Sequence, residues 1–383
     1  MKGEIGDMNF IIRTTVTYSN KGTKTWNFTE DEQSVSLFMN NTWQSVQLVN
    51  HSYPLESLQN DTEGNPIAVL QFPKSELNPR ENLSYTLTYH VLSKPRALPN
   101  ISEEESQTFN EIPNDLKEKY TKAEGPWLTN QTELQDLAHS LAGNETRVLT
   151  VVKNFAAWIA NESNIRYGIH DVPLYPNETL TLREGDCDDK AILLVTLCRI
   201  YGIPSYLQVG CIYDPTTPPS NETYWQGHVI FISKRISWHG WAIVYIPPWG
   251  WLPVDLTYVL GDTSDPLNTI KKAAVTWQWV IQHMNFTKSD YVASSRKTRD
   301  FLQENDFYIC EEDEMTLNQL LDIPWQRILE VLKWFLIVGT VVGTAIVLVA
   351  IFAHSRKMGK RELKGSLSKQ RTLCTRKSMT VST

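Results

Sequence analysis

Hydrophobic and polar residues change rhythm three times along this chain. From residue 9 to about 93 they alternate in short runs, among them NFIIRTTVTYSN, VSLFM, IAVLQF and NLSYTLTYHVL, separated by Asn, Gly, Pro and Glu-Gly-Asn turns. Alternation with period two suits strands buried on one face, and a series of such runs predicts an antiparallel β-sandwich of immunoglobulin type over residues 1–95. Residues 96–130, with KPRALPN just before and at their start, then SEEES and EGPWLTN, hold neither period and read as a linker, with the boundary near 93–100.

A helical period follows. Thr132 opens a run with a capping residue and an acidic first turn, and residues 148–160 place Val151, Val152, Phe155, Ala156 and Ile159 at three- and four-residue spacing. After a loop at 167–180, Cys187 precedes AILLVTLCRIYGIP, which suits a buried helix stopped by Gly202 and Pro204. Four strand-like runs come next, at 205–213, 225–233, 240–247 and 251–259. Helices leading into an antiparallel sheet predict an α+β domain over residues 131–310, whose last part, 267–308, reads as a helical or irregular closing segment.

The third rhythm is unbroken apolarity. Residues 311–333 form a juxtamembrane segment with an amphipathic end, and 334–353 give twenty consecutive residues without a charge, the length a transmembrane helix needs. Gly339 and Gly343 have the spacing of a helix-dimerisation motif, which is also common in apolar helices, so the oligomeric state stays open. Residues 354–383 carry nine Lys/Arg against Glu362, which predicts a basic cytoplasmic tail and an outer location for everything before the helix. The chain is −7 overall and this tail is +8, so residues 1–353 sum to −15, which argues against nucleic acid as a partner.

Asparagine usage agrees with an exterior location. Twelve sequons (Asn27, Asn40, Asn50, Asn60, Asn82, Asn100, Asn130, Asn144, Asn161, Asn177, Asn221 and Asn285) all precede the apolar stretch. Met1 to Asp7 lack an apolar leader segment, and strand-like sequence starts almost at once, so a leader or anchor upstream is expected. Five cysteines, at 187, 198, 211, 310 and 374, show no C-x-x-C pair and no zinc-type clustering. Cys198, Cys211 and Cys310 read as small buried hydrophobes, with one bond among them still open for an extracellular chain.

The candidate chemistry lies within residues 181–257. Cys187 sits where the apolar helix begins, with Gly185 permitting a tight entry, so unpaired backbone N–H groups and the positive end of the helix dipole favour a thiolate there. Asp186, Asp188 and Asp189 oppose that ionisation unless they face away; Asp188 and Asp189 otherwise suit the first turn of a helix better than a metal site. His239 is the candidate base, and Asp255, on the next strand beyond the turn Pro247-Pro248-Trp249-Gly250, the candidate group to orient it. Each residue also has an ordinary structural reading, and His228, within an alternating strand, reads as a wall residue.

REGDCDDKAILLVTLCRIYGIPSYLQVG followed by HGWAIVYIPPWGWLPVDLTY resembles the transglutaminase-like family, above all its archaeal and bacterial exported members. The resemblance covers about residues 134–258, and LQFPKSELNPRENLSYTLTYHV is similar to a β-domain often found ahead of it. It implies a papain-like fold with Cys187 as nucleophile, His239 as base and Asp255 as orienting acid, in a membrane-anchored archaeal-type member. Gly240 stands where Ala is usual, Ala242 and Ile243 where an acid is common, and Leu256 where Pro is frequent. No segment matches the calcium loops of the animal enzymes, so no metal or other cofactor is implied.

The resulting expectation is a single-pass cell-membrane protein whose outer part is a cysteine acyltransferase. It would attack amide bonds of a protein or peptide substrate at the cell surface through a thioester, as a protease or amidase. A protein-crosslinking transglutaminase and a non-catalytic surface-layer scaffold are the alternatives.

Overall fold

The structure, a computed structural model, describes residues 6–259 and 265–318. In chain order its principal elements are β1 (Met8–Asn20), β2 (Gln44–His51), β3 (Asn82–Ser93), α1 (Thr132–Ala142), α2 (Val148–Ala160), α3 (Pro176–Leu182), α4 (Cys187–Ile200), β4 (Ser205–Tyr213), β5 (Ser220–Tyr224), β6 (Val229–Lys234), β7 (Ile236–Ile246), β8 (Gly250–Val254), β9 (Val280–Phe286), α5 (Tyr291–Asn305) and β10 (Phe307–Leu317).

α4 is the centre of the helical layer because its sequence is apolar almost all round. Every residue from Asp189 to Arg199 is buried, which an element can sustain only when packed on all sides. It lies on β7 and β4 and against α1, α2 and α3. Arg199, at its end, is buried too, and its guanidinium donates to the carbonyls of Ser205 (2.7 Å), Lys122 (3.0 Å) and Thr287 (2.7 Å), so the cation is fully engaged in tying helix to sheet. Gly202, at φ 76°, then turns the chain into β4.

The sheet under α4 has the order β8-β7-β4-β9. β7 and β8 form the hairpin expected through Pro247 and Pro248, with Ala242 opposite Val254. Two of the expected assignments change. The run at 225–233 does not join this sheet, and its fourth strand is β9, within the segment read as helical or irregular. β9 begins with three buried residues, Val280, Ile281 and Gln282, so it lacks the alternation that marks a strand with one wet face.

A second sheet has the order β5-β6-β10-β1-β3-β2. β1 is antiparallel to β3 on one side and to β10 on the other, from Phe10 opposite Leu317 to Asn20 opposite Phe307. β6 is parallel to β10, with Val229 opposite Ile309. Residues 1–95 therefore do not close an immunoglobulin-type sandwich by themselves: strands from beyond the linker complete the sheet, and chain on both sides of residues 93–100 shares one core. The smaller sheet of 34–36, 66–70 and 55–60 belongs to the N-terminal portion. Residues 307–317, divided in the sequence reading between the α+β domain and a juxtamembrane segment, are one strand. Its core-facing positions include Glu311 and Asp313, which hid its periodicity.

Among the described residues no helix is long and apolar enough to cross a membrane. The predicted membrane helix at 334–353 and the tail at 354–383 lie outside the described residues. Of the sequon asparagines, Asn177 and Asn285 are half-buried and the other ten are exposed.

Met315 is fully buried in the core formed by β1, β3 and β10. Met315→Ala is expected to cost about 2–5 kcal/mol and to move a single cooperative urea transition. Two transitions, only one of them shifted, would indicate separately folding domains.

Candidate active site

The start of α4 is built by its own acids. The Asp186 N–H donates to Asp189 Oδ2 (3.3 Å), and Asp189 Oδ1 accepts the Leu174 N–H (2.7 Å), so Asp189 is turned into the cap and away from the thiol. A Cβ on Gly185 would lie 2.8 Å from Asp189 Cβ, hence glycine at the entry. β7 crosses this turn closely: a Cβ on Gly240 would meet Asp188 Cβ at 3.0 Å, and the Gly240 N–H donates to the Cys187 sulfur. Gly240, noted as a departure from the usual Ala, is thus where strand and helix start come nearest.

One residue earlier on β7, His239 Nε2 is 3.0 Å from Asp255 Oδ2. Asp255 is fully buried, and that oxygen also accepts the Ala274 N–H at 3.1 Å. Its other oxygen accepts the N–H groups of Thr257 (3.1 Å) and Tyr258 (2.9 Å). Three amides and an imidazole satisfy a buried carboxylate that would otherwise be costly. The ring of His239 lies between Trp241 and Tyr258, with centroids at 5.7 and 5.8 Å. With Nε2 committed to Asp255, Nδ1 is the nitrogen left for another partner.

Cys187, His239 and Gly240 line one cavity of about 600 Å³. Burial pushes the Cys187 thiol well above its ordinary pKa, and Asp188 and Asp186 push it further. Asp188 Oδ1 is 4.0 Å from the sulfur, and its Oδ2 accepts the Tyr291 hydroxyl. Asp186 is raised to about 10 by burial and by Asp188, so it is protonated at neutral pH. Cys187 is accordingly a thiol at neutral pH, and a nucleophilic role would require a base. Asp186, Cys187 and Asp188 offer ligand atoms within 4.8 Å of one another, yet Asp188 is already bonded to Tyr291 and the thiol would be consumed as a ligand.

His228 stands elsewhere. Its Nδ1 is 2.7 Å from the Phe307 carbonyl and its ring stacks on Tyr308 at 4.3 Å, so it holds the start of β10. Cys198 and Cys211 are buried free thiols, and Cys310 is a half-buried one.

Residues 135–256 match the transglutaminase-like superfamily. A comparison with curated protein sequences finds no match. Among solved structures the chain is similar to a candidate cysteine protease from Cytophaga hutchinsonii, with 18% identity, 82% of this chain and 91% of that one covered, and a TM-score of 0.49. It is also similar to the periplasmic domain of TgpA from Pseudomonas aeruginosa bound to ethylmercury, with 16% identity, 66% and 90% coverage and a TM-score of 0.31. For red sea bream transglutaminase the figures are 10%, 67%, 47% and 0.29.

Several parts of the transglutaminase-like site had no readable signal in the sequence. The Gly240, Thr257, Tyr258 and Ala274 contributions are backbone amides, which every residue but proline carries. Tyr291, bonded to Asp188, belongs to the segment read as helical or irregular, and nothing local ties it to residue 188.

Removing the nearest negative charge should ease ionisation of the thiol. Asp188→Asn is expected to move the pH profile of Cys187 alkylation by iodoacetamide to lower pH, as read by peptide mass spectrometry. An unchanged profile would show that Asp188 does not burden the thiol.

Proposed function

We propose that this protein is a membrane-anchored, extracellular cysteine acyltransferase that cleaves amide bonds of a protein or peptide substrate through a thioester on Cys187. The observation that carries the reading is the buried His239–Asp255 pair beside a protonated thiol at a helix start. His239 Nδ1 takes the thiol proton as Cys187 Sγ attacks the amide carbonyl carbon. The carbonyl oxygen gains the negative charge, and backbone N–H groups of the α4 first turn, which lack intrahelical acceptors, are suited to stabilise it. As the tetrahedral species collapses, the C–N bond breaks and His239 returns the proton to the departing amine. Water, deprotonated by His239, then attacks the thioester and releases the acid and the thiol. Asp255 keeps the imidazole in the tautomer that leaves Nδ1 free.

Location outside the cell rests on the apolar stretch at 334–353, the basic tail after it and the twelve sequons before it. The anchor leaves the catalytic unit facing substrates at the cell surface, and an archaeal-type exported member is the nearest description of the sequence pattern.

Cys187→Ala is expected to abolish amide cleavage, and His239→Ala to lower kcat/KM by about 10²–10⁴-fold. His228→Ala should lower stability by about 1–3 kcal/mol while folded enzyme keeps its turnover. The reverse pattern for the two histidines would overturn the assignment. With a glutamine peptide and a labelled primary amine, hydrolysis is expected to dominate; amine incorporation would make the enzyme a crosslinker.

Expression in a glycosylating secretory host supplies a further check by glycopeptide mass spectrometry. Exposed Asn60 and Asn82 should carry glycan, whereas Asn285 should not, because its side-chain oxygen accepts the Gln208 amide at 2.7 Å. A glycan on Asn285, or none on Asn60 and Asn82, would count against this topology.

A further inference from the structure

The cavity above Cys187 has a second wall, to which the transglutaminase-like stretch gives Glu222 and Phe231 and the strand beyond it gives Glu311. This wall comes from the outer strands of the six-stranded sheet. Glu222 on β5 lies opposite Phe231 on β6, and Phe231 lies opposite Glu311 on β10, so a carboxyl, a phenyl and a carboxyl stand in one row across three strands. All three line the cavity, together with Asp186 and Asp188 on the catalytic side. Adjacent strands are about 4.8 Å apart, which puts the two glutamates of the row roughly 10 Å from each other.

Four carboxyl groups therefore face one cavity of about 600 Å³, and no Lys or Arg lines it. Its two imidazoles do not balance them: His239 is committed to Asp255, and burial pushes His283 down to about 4, which keeps it neutral. The neighbouring acids of β10 show the contrast. Glu312 pairs with Lys234 and Glu314 with Arg235 on the other face of the strand. Glu311, on the cavity face, has no cationic partner among the described residues and is raised to about 8 by burial and by Asp313. Burial and neighbouring acids hold Asp186 and Glu311 in their protonated forms, and a cation arriving with a ligand would favour their ionised forms by pairing with them.

We propose that this cavity is a specificity pocket for a cationic side chain, so that the enzyme selects amides flanked by lysine or arginine. The inference rests on the acyl-transfer reading of the same site and names its substrate class. Phe231 and Trp238 give the methylene stem apolar walls, and Glu222 and Glu311 receive the ammonium or guanidinium. A single metal ion does not fit the pattern. Among the described residues the donors close enough to share one ion are Asp186, Cys187 and Asp188, while Glu222 and Glu311 stand apart on either side of a phenyl ring.

The test uses the full chain carrying Cys187→Ala, which removes the covalent step. Two fluorescent blocked pentapeptide amides, identical except for a central lysine or norleucine, are titrated by anisotropy at pH 7. The lysine peptide is expected to bind at least about tenfold more tightly. Glu311→Gln and Glu222→Gln, each added to Cys187→Ala, should bring the ratio close to one. Equal binding, tighter binding of norleucine, no measurable binding of either, or a ratio that survives both substitutions would overturn the proposal. Should Glu311→Gln fail to fold, the exposed Glu222→Gln decides alone. Iodoacetamide labelling of otherwise unaltered chain separates the two readings. A lysine preference with an inert Cys187 would overturn acyl transfer and keep the pocket, whereas a reactive Cys187 without the preference would do the opposite.

Discussion

The close approach of β7 to the first turn of α4 is the constraint on which the site depends. It exists because α4 is apolar on nearly every side and must be covered, and because Gly240 has no side chain to keep strand and helix start apart. Everything chemical follows from that contact. It sets the Gly240 N–H against the Cys187 sulfur, puts His239 at the same cavity, and lets the β7–β8 hairpin carry Asp255 underneath the imidazole. Backbone proximity of this kind is cheap only at glycine, since at other residues a Cβ would have to be accommodated.

Charge at the site is arranged by what each carboxylate can bond. Asp255 has three amides and an imidazole and is buried completely. Asp189 is absorbed into the helix cap and the Leu174 amide. Asp186 and Asp188 are less fully compensated, and their cost falls on the thiol, which stays protonated until a base acts. A thiol held this way is protonated at rest, and any nucleophilic reaction of it would call for a base.

The β-rich N-terminal portion is built into one sheet with later parts of the chain. β1 is the middle of a sheet whose other half, β10, β6 and β5, is contributed by chain that follows α4, so the two halves of the sequence share a core. That sheet also supplies Glu222, Phe231 and Glu311 to the cavity facing Cys187. Glu222 and Phe231 come from within the transglutaminase-like stretch and Glu311 from the strand beyond it, so the cavity is lined by chain from both.

What the sequence determined by itself was local: the amphipathic α2, the buried α4 from Cys187 to its Gly202 stop, and the hairpin carrying Asp255 back past His239. Each is encoded by periodicity, capping or turn chemistry within a few residues, and the thiol, imidazole and carboxylate could be singled out because their contexts are equally short-ranged. The tertiary structure alone decided the rest. It gave β9 to the sheet under α4, moved residues 229–234 to the other one, paired β1 with β10, and set Tyr291 on Asp188 and Glu311 in the cavity that Cys187 lines. These outcomes join residues far apart in the chain, and they are fixed by the joint demand to bury apolar faces and satisfy every backbone and carboxyl group, which no short window of sequence expresses.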